Sequence, residues 1–385
     1  MRFADNRNKI GKYIPAVVFL IFIYGMALWF IFSPKPDYSS SEKRYLQKFP
    51  EVTAEKLLSG DFGSEFETFF ADRFPQRNTW VGLNAYTALA VGNNGASGVY
   101  NCKNGYLINK PVSTENNLDK NIGAVADFAK SIDTPTTVML VPSTGYIVDD
   151  VLPTFHDKYN DDEDISKISS TLSKDKIGFV DLRERFKSEY KNGSQLYYKT
   201  DHHWTTKGAY TGYQELCKAL GITPIDDSPL KKDSYPDFYG TTYSSSGFWL
   251  TPPDNIEIWN NPKNSDRNIS VKITEGANIK TSGSMYFTDH LKEDDKYPVF
   301  IDGNHALTEI TNTNAKNGTI LLIKDSFSHS LAPFLAENYS KVVLVDLRYY
   351  KESVSELVTT YNPEQVVVLY GIDNLATDTD IVWLK

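Results

Sequence analysis

The chain has 385 residues, a net charge of −9, and 41% hydrophobic, 13% aromatic and 23% charged side chains. This is the balance of a folded protein rather than a disordered one, and the length suits one large domain or two ordinary ones. The negative charge argues against nucleic acid or an anionic lipid surface as the main partner. Two cysteines, Cys102 and Cys217, with no Cys-x-x-Cys pair exclude a zinc-type thiolate site.

Residues Ile14 to Phe32 are uncharged and apolar, which is enough to cross a hydrocarbon core of about 30 Å. Arg2, Arg7, Lys9 and Lys12 precede them, so the positive-inside rule keeps residues 1–12 in the cytoplasm. The apolar run is longer than the roughly 7–15 residues of a cleaved signal peptide and lacks a small-x-small site. An uncleaved signal anchor over 13–33 is expected, with the rest of the chain outside. Residues 34–92 read as a linker followed by a membrane-proximal helical region. Its stripe of Phe62, Phe66, Phe69, Phe70 and Phe74 is expected to dock on the main domain.

From residue 93 the pattern changes. Val99 to Ile108 reads as a hairpin turning at Asn104-Gly105. Ile122, Val125, Phe128 and Ile132 keep helical spacing, Thr136 to Val141 is a buried strand, and Ile177 to Leu182 is another before a helix at Arg183 to Tyr190. Gln195 to Tyr198 reads as a short strand, and a helix capped by Thr205 or Thr206 carries Ala209, Tyr210, Tyr213, Leu216, Cys217 and Leu220. Cys217 thus lies on an apolar face, as a buried free thiol does. An insertion at about 226–292 interrupts the rhythm with Tyr, Ser, Asn and Pro; it is either a substrate cover or a surface excursion with a small antiparallel ribbon. Thr319 to Ile323, Val342 to Val345 and Gln365 to Tyr370 are further buried strands separated by helices. Strands alternating with helices imply a parallel sheet.

Between the Gln195 strand and its helix lies Asp201-His202-His203-Trp204. A carboxylate beside an imidazole fixes its tautomer and stabilises the imidazolium formed when it takes a proton. The proton donor is found at Lys324-Asp325-Ser326-Phe327. There a strand turns sharply into a helix, so that the Ser326 hydroxyl and the N–H groups of Ser326 and Phe327 face the carboxyl edge of the sheet. Serine alone would read as a helix cap; with an Asp-x-His turn on the same sheet it reads as a nucleophile. A metal site on Asp201, His202 and His203 is the alternative, against which stands the absence of a further cluster with ligand spacing. His156, His290, His305 and His329 are scattered, and His329 lies one turn after Ser326.

These motifs, together with Leu347-Arg348-Tyr349-Tyr350, the KNGYLI stretch at Lys103, FYGTTYSSS at Phe238 and IDGNHALTEI at Ile301, resemble the DHHW proteins. Those are similar to the alginate O-acetylation enzymes of the AlgJ and AlgX type within the SGNH-hydrolase superfamily. The resemblance implies a three-layer α/β/α sandwich with a mostly parallel sheet and permuted motif order, here in residues 93–385 behind a transmembrane helix. It places Ser326 as nucleophile, His203 as general base and Asp201 as its orienting carboxylate. Asp325 corresponds to the turn-stabilising aspartate, with Lys324 in place of the usual glycine. Arg348 falls near the acyl oxygen, Asn374 of Gly371-Ile372-Asp373-Asn374 near the oxyanion, and His202 in the cleft lining. The aromatic insertion around Tyr243 would stack on sugar. The activity implied is acetyl transfer to a hydroxyl of an exopolysaccharide or cell-wall polymer, without a cofactor, with a multipass membrane-bound O-acyltransferase as acetyl supplier. An esterase with the same triad, or a non-catalytic polymer-binding subunit, are the alternatives.

Overall fold

The computed structural model describes residues 2–112, 117–381 and 384. Contacts divide the chain into two units, Met1–Thr87 and Ala88–Lys385.

The larger unit is organised on one eight-stranded sheet. Its strands are β1 (Thr136–Val141), β2 (Gly178–Asp181), β3 (Ile269–Glu275), β4 (Asn278–Ser282), β5 (Leu307–Asn312), β6 (Asn317–Lys324), β7 (Tyr339–Val345) and β8 (Gln365–Gly371). The order across the sheet is β4-β3-β5-β7-β6-β8-β1-β2. From β7 to β2 neighbours run parallel, while β5, β3 and β4 extend the β7 edge antiparallel.

The four inner parallel strands, β7, β6, β8 and β1, are apolar over most of their length because both faces are covered. Ile320, Leu322, Val342, Leu344, Val367 and Leu369 enter one core with the helices Thr206–Leu220 and Ser328–Leu335. Their chain neighbours Leu321, Ile323, Val343, Val345, Val366 and Val368 enter the other, with the helices Asn117–Ser131, Asp161–Lys174 and Val354–Tyr361. Period-two alternation thus builds the three-layer α/β/α sandwich. Cys102 and Cys217 are both buried and unbonded.

Two expectations change. Gln195 to Tyr198 joins no strand ladder among the described residues; an isolated bridge pairs Tyr197 with Trp204. The backbone there is satisfied locally, Thr205 N–H donating to Leu196 O at 2.8 Å. The Asp254 carboxylate accepts from Lys199 N and Thr200 N at 3.0 and 2.7 Å. Asp201 and His203 therefore sit on a reversal held over the sheet rather than at a strand end. Within the 226–292 stretch, Lys231–Phe238 and Asp254–Asn260 form an antiparallel ribbon, whereas β3 and β4 belong to the main sheet. Ile269, Val271 and Ile273 of β3 are buried and Ser270 and Lys272 are not, the alternation of a half-covered antiparallel strand.

In the smaller unit the helix Arg2–Phe32 contains Tyr13–Phe32, with a mean hydropathy of 2.4. Its 20 residues span about 30 Å at 1.5 Å per residue. The phenylalanine stripe on Asp61–Asp72 packs within this unit, with Phe62, Phe66 and Phe69 around Phe49, and Phe69 and Phe70 against Phe30.

Candidate active site

Three adjacent parallel strands, β6, β8 and β1, end side by side, and chemistry gathers beyond such ends in open α/β sheets. β6 delivers Asp325 and Ser326. Asp325 is buried and its carboxylate takes three donors: Phe327 N at 2.9 Å through Oδ1, then Gly371 N and Asn374 Nδ2, both at 2.7 Å, through Oδ2. Burial raises this carboxyl against the pull of those donors. Asp325 therefore ties the Ser326 turn to the end of β8. Ser326 is itself buried, with 8% of its surface exposed.

The second arm descends from the 201–204 reversal. His203 Nε2 lies 2.7 Å from Ser326 Oγ, and His203 Nδ1 lies 2.5 Å from Asp201 Oδ1. Asp201 Oδ1 also accepts His203 N at 2.9 Å, while Oδ2 accepts Thr241 N at 2.7 Å and Thr241 Oγ1 at 3.1 Å. Burial opposes ionisation of Asp201, but His203, His202 and the Thr241 N–H hold its carboxyl well below the usual range. With Asp201 ionised, Nδ1 carries the proton and Nε2 is free to accept the one on Ser326. Gly240 permits the approach of Thr241: a Cβ there would stand 2.1 Å from Asp201 Cβ.

Two aromatic residues lock the arms together. Trp204 is fully buried and its indole N–H reaches Phe327 O at 3.0 Å and Ser330 Oγ at 2.9 Å, bridging the histidine turn to the helix behind Ser326. Tyr297 stacks on the His203 ring, with centroids 4.0 Å apart and planes inclined by 10°, and donates its hydroxyl to Ser326 O at 3.2 Å. Nothing near Tyr297 in the sequence marks it; only its placement on the ring does.

Beside the Ser326 turn lies a buried charge cluster. Lys324 Nζ donates to Asp346 Oδ2 at 2.8 Å and to His329 Nε2 at 2.9 Å. Arg348 grips the same carboxylate through Nε at 2.8 Å and Nη2 at 2.6 Å, and reaches Asn304 Oδ1 at 2.8 Å. Burial opposes ionisation of Asp346, yet Arg348 and Lys324 hold it below its ordinary value. Burial and the adjacent Lys324 keep His329 well below its own, so that it is neutral. His329 thus serves Lys324 rather than Ser326, and the Arg348 guanidinium is committed to Asp346.

The remaining sequence-derived residues fall as follows. The Phe327 N–H is taken by Asp325, so it is not free for an oxyanion; its ring meets His203 and Trp204 edge-on. The Ser326 N–H has no acceptor among the described residues, and Asn374 uses only one hydrogen of Nδ2 on Asp325. His202 Nδ1 lies 2.7 Å from Thr241 Oγ1; burial and the neighbouring His203 bring its pKa down to about 4. Tyr243 meets Tyr239 at a tilt and Trp249 edge-on within the 235–249 segment, and it is its neighbour Thr242 that reaches the cleft wall. Asp201, His202 and His203 carry ligand atoms within 4.8 Å of one another. Both His203 nitrogens are engaged, however, so a metal there would have to displace the Asp201 or Ser326 contact.

Beside the triad runs a narrow cleft of ≈ 50 Å³. Its wall includes His202, Thr242, Phe327 and the residues that follow β8 and β1, among them Asn374 and Ser143.

Residues 109–345 match the family described as DHHW protein. The chain belongs to the DHHW protein family. A DHHW family protein from Eubacterium siraeum DSM 15702 superposes with a TM-score of 0.62 at 17% identity, over 74% of this chain and 94% of its own. Bacillus cereus PatB1, solved with a sulfonyl adduct, superposes with a TM-score of 0.61 at 20% identity, over 74% of this chain and 97% of its own. At these identities the likeness is one of fold. No curated protein sequence matches this chain. In this DHHW protein the four motif residues differ in placement: the Asp201 carboxylate holds the His203 ring, His203 faces Ser326, Trp204 braces the turn and His202 lines the cleft.

Proposed function

We propose that this DHHW protein is a serine O-acetyltransferase that moves acetyl groups onto hydroxyls of an exopolysaccharide or cell-wall polymer. The observation that carries the reading is the unbroken Ser326 Oγ, His203 Nε2, Nδ1 and Asp201 Oδ1 chain, at 2.7 and 2.5 Å. His203 takes the hydroxyl proton as Ser326 attacks the acyl carbon, and the C–O bond to the leaving group breaks as His203 returns that proton to it. The acetyl-serine is then attacked by an acceptor hydroxyl whose proton His203 removes, and Ser326 Oγ recovers the proton as it leaves. The Ser326 N–H and the spare Asn374 N–H are the donors available to the oxyanion. The acetyl group and the polymer acceptor follow from the motif resemblance.

The helix at Tyr13–Phe32 supports attachment to the cell membrane, with residues 1–12 in the cytoplasm and the catalytic unit outside. Acetyl-CoA is not available on that side, so a multipass membrane-bound O-acyltransferase is proposed as the acetyl supplier. The test is incubation of the full chain in detergent with p-nitrophenyl acetate, then with an oligosaccharide. Mass spectrometry is expected to find one acetyl group on Ser326, none in Ser326→Ala, and acetylated oligosaccharide after chase. Free acetate as the sole product would establish an esterase instead, and an unmodified Ser326 with no release of nitrophenolate would establish a non-catalytic subunit.

A further inference from the structure

The cleft beside the triad has polar groups that acyl-serine chemistry does not use. Asp373, just beyond β8, holds one carboxylate oxygen, Oδ1, on Ser143 Oγ at 3.1 Å. Its Oδ2 has no hydrogen-bond partner among the described residues. Ser143, just beyond β1, is itself fixed by its N–H donating to the buried Asp161 Oδ1 at 2.7 Å. Thr242, also in the cleft wall, is only 2% exposed, and its hydroxyl is buried without a partner among the described residues. A buried hydroxyl left unpaired is costly and asks for a ligand atom. The wall between them is aromatic and close-packed: a Cβ on Gly145 would stand 2.2 Å from the Tyr159 ring.

The charge of this wall is as telling as its shape. Asp373 is its only formal charge among the described residues; His202, its one imidazole, stays neutral above about pH 4. Arg348 acts on His202 from nearby, but its guanidinium is already paired with Asp346. Among the described residues no cation lines the cleft to receive a carboxylate or phosphate. Burial also raises the Asp373 carboxyl to about 6, with Asp164 adding to the effect, as expected where no positive partner is present.

We propose that this cleft is the acceptor subsite and takes an uncharged, hydroxyl-bearing sugar residue. Asp373 Oδ2 accepts one of its hydroxyls and Thr242 Oγ1 bonds another. At ≈ 50 Å³ the cleft holds one edge of a sugar ring rather than a polymer segment. The proposal rests on the acyl-serine reading above and narrows its acceptor to a neutral polymer, against uronate- or phosphate-rich ones.

The test uses the full chain in detergent, acylated by p-nitrophenyl acetate, with methyl glucoside and methyl glucuronide as a matched pair of acceptors. Rates are expressed per active enzyme from the burst amplitude. Methyl glucoside is expected to accelerate nitrophenolate turnover and to be recovered acetylated. Methyl glucuronide should be worse by about tenfold or more, the size of a like-charge penalty a few ångström away in a partly screened site. In Asp373→Asn this preference should fall at least about threefold. In Thr242→Val the acceptor KM should rise. A burst with equal or better use of the glucuronide overturns the proposal, as does a burst that neither acceptor accelerates; in both cases the acyl-serine reading stands. Absence of a Ser326-dependent burst overturns that reading, and the subsite with it.

Discussion

Replacing Asp201 by asparagine tests the histidine arm most directly. Asp201 receives four hydrogen bonds, two on each oxygen: His203 N and Nδ1 on Oδ1, Thr241 N and Oγ1 on Oδ2. An asparagine keeps the shape, but its amide NH2 must face one of these pairs. Turned toward His203, it opposes the backbone N–H and favours the tautomer whose Nε2 already carries a proton, which cannot accept one from Ser326. Turned toward Thr241, it opposes that backbone N–H and keeps the tautomer. In both cases the imidazolium loses its counter-charge. The acylation rate constant should fall roughly 10⁴-fold, the effect of the same change in another serine triad, which corresponds to about 5.4 kcal/mol in the barrier. One buried N–H left without an acceptor should cost about 1–3 kcal/mol of stability. Stopped-flow release of p-nitrophenolate measures the first and thermal unfolding the second. A fall of less than about tenfold, with the protein folded, would mean that His203 does not act as a base oriented by Asp201.

Asp161 gives a pH-dependent expectation. Burial raises its carboxyl from 3.8 to about 7, against the Ser143 N–H, so between those values the folded state binds a proton that the unfolded state has lost. Stability is therefore fully present below about pH 4 and declines as pH rises toward 7, by up to about 4 kcal/mol for this group. Asp161→Asn should flatten that decline and raise Tm at pH 8; an unchanged pH profile would refute it. Gly240→Ala would drive a methyl into Asp201; acylation should drop at least about tenfold, measured in the same stopped-flow assay. Lys324→Met removes one partner of a buried pair. The loss should be about 3 kcal/mol, the lower end for such pairs because Arg348 still holds Asp346. Calorimetry should find Tm lower by roughly 6 °C.

What was legible in the sequence was local. The four inner parallel strands announced themselves as apolar runs bounded by turn residues, because strands covered on both faces have no polar side; the edge strand β2 was read from the short Ile177 to Leu182 run. The Asn104-Gly105 hairpin was equally plain: both residues take positive φ, 58° and 78°, as that dipeptide readily does. The Asp-x-His spacing also acts locally, since the Asp201 carboxylate accepts the N–H of His203 two residues on and holds the same residue's ring. Strand β3 was hidden inside an apparently irregular stretch, because a half-covered antiparallel strand shows only alternation.

The rest required the tertiary structure, because it depends on pairs far apart in the chain. His203 and Ser326 are 123 residues apart, and no period or spacing expresses such a distance. The stacking of Tyr297 on His203, the Trp204 bridge to Phe327 O, and Asp254 holding the reversal at Lys199 and Thr200 are contacts of the same kind. So is the capture of the Phe327 N–H by Asp325, which leaves Ser326 and Asn374 as the free donors. By itself the sequence singled out the Asp-x-His turn and the serine turn, through composition and local geometry. The fold decided which of their hydrogen bonds are already spent and which point at the cleft, because those depend on how the ends of β6, β8 and β1 come to lie side by side.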